Sequence, residues 1–509
     1  MWWRDAVVYQ VYPRSFQDTD GDGVGDLRGI ERRLDHVAAL GADAVWLSPI
    51  YPSPLADFGY DVADFRDVDP VFGTLEDFDA LLAATHERGL RLLMDLVPCH
   101  TSIEHPWFRE RPDFYVWADE GPPNNWVATF GGPAWSLDPV SGRWYLHSFY
   151  PEQPDLDWRN PEVVAAMQDV VRFWVDRGVD GFRLDAIDRL VKDAELRDDP
   201  PADKPFGLPL LEEFGRLEHV HSTNAPEVGE ALAALREAAG PALLVGEVYL
   251  PSDDVAPYLE HLDAAFAFEL FHAPWEAERL RAAISGALEL DGPAWVLSNH
   301  DFTRLPTRLG TERARAAAVL LFTLPGMAFL YQGDEIGLAD GPGADPPYDR
   351  AGRDGARHPM QWDSRPSGGF SEGEPWLPVV NPAERNVADQ RGDPDSMLEL
   401  YRALIALRPR LGSGVGTLEA SSGVLSFARG EHLVEVNTTA EPKPSEAGGE
   451  VLLASDGERR SGAPLAGHAA RVSADDRVRR GTQPCEYPRR LSPPPRAPRP
   501  ARSASAEGR

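Results

Sequence analysis

Val179-Asp180-Gly181-Phe182-Arg183-Leu184-Asp185 is a short apolar run that closes on a charged tip, and its reading decides the fold. In extended backbone alternate side chains share a face, so Arg183 and Asp185 point one way and Leu184 the other. Three more segments have the same form: residues 90–100 (LRLLMDLVPCH), 242–247 (ALLVGE) and 295–301 (WVLSNHD). Runs this short and continuously apolar read as parallel strands buried on both faces. Polar tips on successive strands of that kind gather at one end of the sheet, where α/β barrels build their active sites.

Working outward, the pattern predicts strands at Val7–Tyr12, Ala44–Leu47, Leu90–Leu93, Val179–Leu184, Ala242–Val245, Ala264–Phe268, Trp295–Leu297 and Met327–Tyr331. Between them lie amphipathic helix patterns such as Leu75–Arg88, ended by Gly89, and Pro161–Arg177, opened by proline and followed by Gly178. Eight β-then-α units predict an α/β fold, a (β/α)8 TIM barrel. After the third strand comes an irregular stretch rich in Pro, Gly, Trp and Asn, too long for an ordinary loop and therefore expected to be functional. Beyond the helix pattern Met397–Leu407, a hairpin over Gly423–Ala428 and His432–Asn437 and a strand at Glu450–Ala454 predict a small antiparallel β domain. The expected division is 1–99 and 156–410 for the barrel, 100–155 for the insertion and 411–478 for the β domain. The Pro-, Arg- and Ser-rich remainder, 479–509, reads as a disordered tail.

At 509 residues with 42% apolar composition and 14 Trp, the chain can bury a large core. A formal charge of −32 argues against nucleic acid or an anionic membrane as a partner. No stretch approaches the roughly 20 apolar residues of a membrane span. Met1-Trp2-Trp3-Arg4-Asp5 runs straight into the first strand without an apolar leader, and only Cys99 and Cys485 occur, so the expectation is a cytoplasmic protein without a disulfide framework.

Arg183, two residues from Asp185, is expected to keep that carboxylate ionised, as a nucleophile toward an anomeric carbon requires. Glu247, at the end of an apolar run and near other acids, is expected to stay protonated and serve as a proton donor. Such a pair serves a retaining glycosidase when its carboxyls lie about 5–5.5 Å apart. Separately, residues 18–26 (DTDGDGVGD) place Asp18, Asp20, Asp22 and Asp26 at positions 1, 3, 5 and 9 of a calcium-loop spacing, with the Val24 carbonyl at position 7. Position 12 is Gly29, so the bidentate Glu of an EF-hand is missing.

In order and spacing, the four tipped segments resemble the α-amylase superfamily of retaining glycosidases. Residues 41–50 (GADAVWLSPI), 326–337 (GMAFLYQGDEIG), 353–355 (RDG) with 359–362 (PMQW), and 153–156 (QPDL) resemble further regions of its oligo-1,6-glucosidase/α-glucosidase branch. The resemblance covers roughly residues 2–410. It implies that the insertion is domain B, one wall of the substrate cleft, and that the β domain is domain C. It assigns Asp185, Glu247 and Asp301 as the catalytic carboxylates. It places His100 and His300 on sugar hydroxyls, Tyr60 against the bound sugar ring, and Asp95 as the group that orients Arg183. Asp57 would grip the terminal glucose, with Arg391 offered as its partner. The Asp18–Asp26 loop would hold one structural Ca²⁺, or Mg²⁺, and no organic cofactor is implied. Two departures stand out: Cys99 and Asp157 each occupy a position where the family usually has Asn.

The resemblance therefore implies a retaining α-glucosidase acting on maltose and short malto-oligosaccharides, with transglycosylation open, as a monomer or weak homo-oligomer. Ala186, directly after Asp185, accompanies α-1,4 preference in this branch. Oligo-1,6-glucosidase and trehalose synthase are the nearest alternatives. A non-catalytic amylase-like partner subunit is the alternative of another class, disfavoured because all three acids are present.

Overall fold

In the computed structural model, eight parallel strands close into a barrel: Val7–Val11, Ala44–Leu47, Arg91–Leu96, Gly181–Leu184, Leu243–Gly246, Ala264–Phe266, Pro293–Val296 and Met327–Tyr331, each paired to the next and the last to the first. The structure describes residues 1–202, 213–412, 414–447, 449–458 and 463–474. Alternation explains the apolar runs. Val8, Trp46, Leu93, Val245, Phe266, Val296 and Phe329 fill the barrel interior. Their neighbours Val7, Tyr9, Val45, Leu47 and Leu244 pack outward against the helices. Most strand residues thus meet an apolar layer, and the sequence shows little polar alternation.

Helices form where caps and periodicity agree. Pro161–Arg177 starts from Asn160, whose side chain accepts the Glu162 N–H, and stops at Gly178, whose φ of +106° favours glycine. Leu75–Glu87 opens on a reciprocal capping box between Thr74 and Asp77. Leu27–Leu40 is capped by Asp26, whose carboxylate accepts the Gly29 N–H.

The third strand runs three residues beyond its predicted end, to Leu96, so Asp95 lies inside the barrel wall and not on a loop. The apolar stretch had masked this, because one buried carboxylate does not break an extended run when a cation faces it. The register sets Asp95 beside Arg183, and Leu184 beside Gly246.

Within 100–155 a three-stranded antiparallel sheet forms from Trp117–Ala118, Trp144–Leu146 and Trp135–Leu137. After the barrel, Glu419–Ser421, Val424–Arg429, His432–Asn437, Ala470–Ala474 and Val451–Ala454 make a five-stranded antiparallel sheet in that spatial order. The expected tail at 479–509 lies outside the described residues. Among the described residues, no helix is long and apolar enough to cross a membrane.

Candidate active site

At the C-terminal mouth of the barrel, a cavity of about 530 Å³ is lined by Asp57, Tyr60, His100, Asp185, Glu247 and Asp301. The insertion contributes Thr129, Phe130 and Phe149 to its wall. Strand geometry delivers the acids: Asp185 follows the fourth strand and its N–H donates to the Leu96 carbonyl, while Glu247 follows the fifth and donates to Leu184. Gly246 lets Leu262 and Ile187 pack closely there, since an added Cβ would come within 2.5 Å of Leu262 Cδ1 and 2.7 Å of Ile187 Cδ1 and both side chains would have to move.

One buried guanidinium organises three carboxylates. Arg183 donates from Nη1 to Asp95 Oδ1 (2.8 Å) and Asp185 Oδ1 (2.5 Å), and its Nη2 lies 2.5 Å from Glu247 Oε1. Burial drives the pKa of both Asp95 and Asp185 upward, and Arg183 draws each back. Burial lifts Glu247 furthest, to about 8, with Arg183 opposing and the Asp185 and Asp301 charges adding to the rise. The expectation that Arg183 alone would lower the Asp185 pKa is therefore corrected: one cation shared three ways is outweighed by desolvation and by Asp95. The consequence is a division of labour, because the carboxyl with the highest affinity takes the proton and leaves Asp185 the better-supported anion. Glu247 also accepts the Ala186 N–H at 3.1 Å, delivered by a left-handed Ala186 with φ of +46°.

Asp301 sits in the opposite environment. Burial opposes its ionisation, but His300, Arg353 and Arg357 hold its carboxyl well below the usual range. Arg353 reaches it at 3.0 Å and Arg357 at 3.2 Å. The Asn299 side chain accepts the Asp301 N–H, which fixes the turn.

His300 is wholly buried and does not line the cavity. The Gln10 amide donates to its Nδ1 at 2.9 Å, so its proton sits on Nε2, facing the Tyr60 hydroxyl at 2.9 Å and Asp301 Oδ2 at 3.3 Å. Burial pushes its pKa down to about 3, and the ring stays neutral. Tyr60 donates its own O–H to Asp95 Oδ2 (3.0 Å) and stacks on His300 with ring centres 5.5 Å apart. Arg183 and His300 thus stand behind the acids and brace them, whereas the resemblance sets His300 on a sugar hydroxyl. His100 does line the cavity, with Nε2 near the Tyr60 carbonyl and the Gln153 amide and a buried Nδ1 that has no partner among the described residues.

The partner of Asp57 is Arg353, not Arg391. Arg353 ion-pairs with Asp57, with Asp349 (2.7 Å) and with Asp301, and Gln153 donates to the other Asp57 oxygen at 3.0 Å. Arg391 lies beside His36, Leu398 and Arg402, at a separate surface hollow. The Asp57–Arg353 contact spans 296 residues, which local spacing cannot reveal. The usable signal was the i,i+4 pair Asp349–Arg353 opening the RDG segment.

Cys99 is buried and donates weakly to the Arg189 carbonyl, while Lys192 places its ammonium 2.5 Å from Asp155 beside it. Burial raises the thiol to about 12, so it is inert as a nucleophile. Cys99, His100 and Asp155 converge, but the Lys192 ammonium already serves as the cation there. Asp157 accepts the Arg159 N–H and stays near the surface.

In the 18–26 loop, carboxylate oxygens of Asp18, Asp20 and Asp22 all lie within 4.8 Å of one another. Partial burial raises the Asp22 pKa, with the Asp20 and Asp18 charges adding to it, a repulsion that a hard cation would relieve. Asp26 stands outside that cluster, its oxygens accepting from Thr19 and Gly29. Val24 donates its N–H to Asp22 Oδ1. Three clustered oxygens fit Ca²⁺ or Mg²⁺ chemistry.

Residues 10–412 match the profile of the alpha amylase catalytic domain. The chain is 44% identical over 480 residues to a probable alpha-glucosidase of Rhizobium meliloti (strain 1021), covering 84% of this chain and 87% of the relative. It is 38% identical over 479 residues to an oligo-1,6-glucosidase of Parageobacillus thermoglucosidasius, covering 80% and 84%. Among solved structures it resembles an alpha-glucosyl transfer enzyme (TM-score 0.86, 39% identity, 93% of this chain and 99% of that one). It also resembles the trehalulose synthase of Pseudomonas mesoacidophila MX-45 (TM-score 0.83, 32% identity, 93% and 99%).

Proposed function

The chain belongs to the α-amylase family of glycoside hydrolases, and on that footing we propose that it is a retaining α-glucosidase that removes terminal glucose from maltose and short malto-oligosaccharides. The observation that carries the reading is the closed end of the cavity, where Asp57 is clamped by Arg353 and Gln153. An ion-paired wall at that end of the cavity supports a pocket for a terminal sugar over a cleft for a continuing chain.

The chemistry follows from the protonation pattern. Asp185 attacks the anomeric carbon while Glu247 transfers its proton to the glycosidic oxygen, and the aglycone leaves as a neutral alcohol. The Glu247 carboxylate then takes a proton from water, whose oxygen displaces Asp185 and releases glucose with retained configuration. Asp301, kept anionic by its arginines, stabilises the positive charge that develops on the sugar ring. The pair of acids held on one guanidinium supports the short separation this route needs.

A structural Ca²⁺, or Mg²⁺, at Asp18, Asp20 and Asp22 completes the reading, with the Val24 carbonyl as a further ligand. A cysteine-poor composition supports a cytoplasmic setting, which cell fractionation would read. A monomer or weak homo-oligomer is the expected assembly, measurable by light scattering. The activity itself is tested by incubating the enzyme with maltose, isomaltose, trehalose and sucrose and resolving the products. Glucose release fastest from maltose is expected. Isomerised disaccharides without net hydrolysis would overturn the reading.

A further inference from the structure

Arg189 stands four residues beyond Asp185, at the end of the 3-10 turn Ile187–Arg189, and lines the cavity. Only 7% of it is exposed. Its guanidinium carbon lies 4.6 Å from the centre of the Phe214 ring and 5.3 Å from that of Phe149. The nearest carboxylate oxygen is Asp188 Oδ2, 3.9 Å from Nε and beyond hydrogen-bond length. Among the described residues, no acceptor takes a hydrogen bond from this guanidinium. Arg353 at the closed end is the contrast, with its nitrogens engaged by Asp57, Asp301 and Asp349. Cation–π contact compensates part of the cost of burying a charge, but leaves a fork of donors unused.

The place of Arg189 says what could use them. Glucose held against Asp57 and Arg353 puts its anomeric carbon at Asp185, so the aglycone extends toward the mouth, where Val220 is 58% exposed. Arg189 lies on that wall. An anionic aglycone is disfavoured there by Asp188 and Asp254 in the same wall and by the acids beneath. A neutral polyhydroxyl group offers acceptor oxygens at vicinal spacing, which suits a planar guanidinium.

Resting on the α-glucosidase reading, we propose that Arg189 is the residue that selects a sugar as the aglycone: its guanidinium, held by the rings of Phe149 and Phe214, donates hydrogen bonds to hydroxyls of the second sugar ring. An aryl aglycone lacks those hydroxyls and gains nothing from it.

The test compares wild type, Arg189→Leu and Arg189→Lys on maltose, maltobionate and 4-nitrophenyl α-glucoside. For Arg189→Leu, kcat/KM on maltose is expected to fall about 10- to 100-fold, mostly through KM, the scale of a lost hydrogen bond to a charged group. On the nitrophenyl glucoside the loss should stay within about 3-fold, and the alkaline limb of the pH profile should not move. Arg189→Lys, which keeps the charge and loses the fork, should fall between. Equal losses on both substrates, or a shifted alkaline limb, would assign Arg189 to holding the Asp185 turn and overturn the proposal. So would an undiminished maltose reaction, or wild-type preference for the carboxylate-bearing maltobionate. If wild type releases glucose from none of the three, the α-glucosidase reading itself fails. If it does so and Arg189 proves indifferent, only this inference fails.

Discussion

Two acid clusters in this chain use the same residue type to opposite ends. Asp95, Asp185 and Glu247 are buried around a single guanidinium, and their protonation is tuned by that burial. Asp18, Asp20 and Asp22 ring a surface loop, where backbone N–H groups of Asp20, Gly21, Gly23 and Val24 satisfy much of their capacity. The difference teaches that acidic composition says little until solvent access is known. The barrel set stores a proton for chemistry; the loop set, with Asp18 buried and Asp20 and Asp22 exposed, shapes a loop and offers oxygens to a cation.

The comparison predicts a steep gradient of effects. Asp185→Asn should abolish turnover, on the order of 10⁴-fold or more, with little change in melting temperature. Single-turnover assays with a nitrophenyl glucoside will read it, and recovery of an inverted product with azide would identify the lost nucleophile. Next comes Glu247→Gln. Its loss on maltose should reach about 10² to 10⁴-fold, the usual value of general acid catalysis. On an aryl glucoside with a good leaving group it should be far smaller. Equal losses would remove Glu247 from the acid role.

The buried set also predicts a pH signature. Its raised pKa keeps Glu247 protonated below about 8, so kcat/KM should fall as pH rises through that value. The limb should vanish in Glu247→Gln, and a limb that persists there belongs to another group.

Smaller still is the effect at Ala186, which lines the cavity with its N–H on Glu247. Wild type should prefer maltose to isomaltose, and Ala186→Val should narrow or reverse that ratio by about 10-fold or more. Because valine is strained at a φ of +46°, kcat should also drop on both substrates. An unmoved ratio would place linkage choice in the 100–155 insertion. Smallest on turnover is chelation. EDTA should lower the melting temperature by the lost binding linkage while leaving the rate of folded enzyme nearly intact. Prompt, reversible inactivation far below melting would tie the loop to the buried acids and erase the contrast between the clusters.

The barrel was legible because its strands are buried on both faces, which writes each as an apolar run with a polar tip. Asp57, Tyr60, His100, Asp185, Glu247 and Asp301 were legible as tips or motif residues, and all six line one cavity. What the sequence hid is what depends on distance across the fold. Arg183 and Asp185 are visible as neighbours, but Asp95 and Glu247 on the same guanidinium are 88 and 64 residues from Arg183 (183 − 95 and 247 − 183). Burial first, and the Asp95 charge after it, reverse the expected direction of the Asp185 shift. The same separation hid Arg353 as the partner of Asp57, for which Arg391 had been offered. The Arg189 donors went unnoticed because nothing local shows that Phe149 and Phe214 would hold a cation without an acceptor.

The central claim is that Asp185 and Glu247 act as nucleophile and acid of a double displacement. The anomeric form of the first glucose released by wild type from a nitrophenyl α-glucoside tests it most directly, followed by proton NMR before mutarotation. The account predicts α-glucose at the earliest times; β-glucose would contradict it.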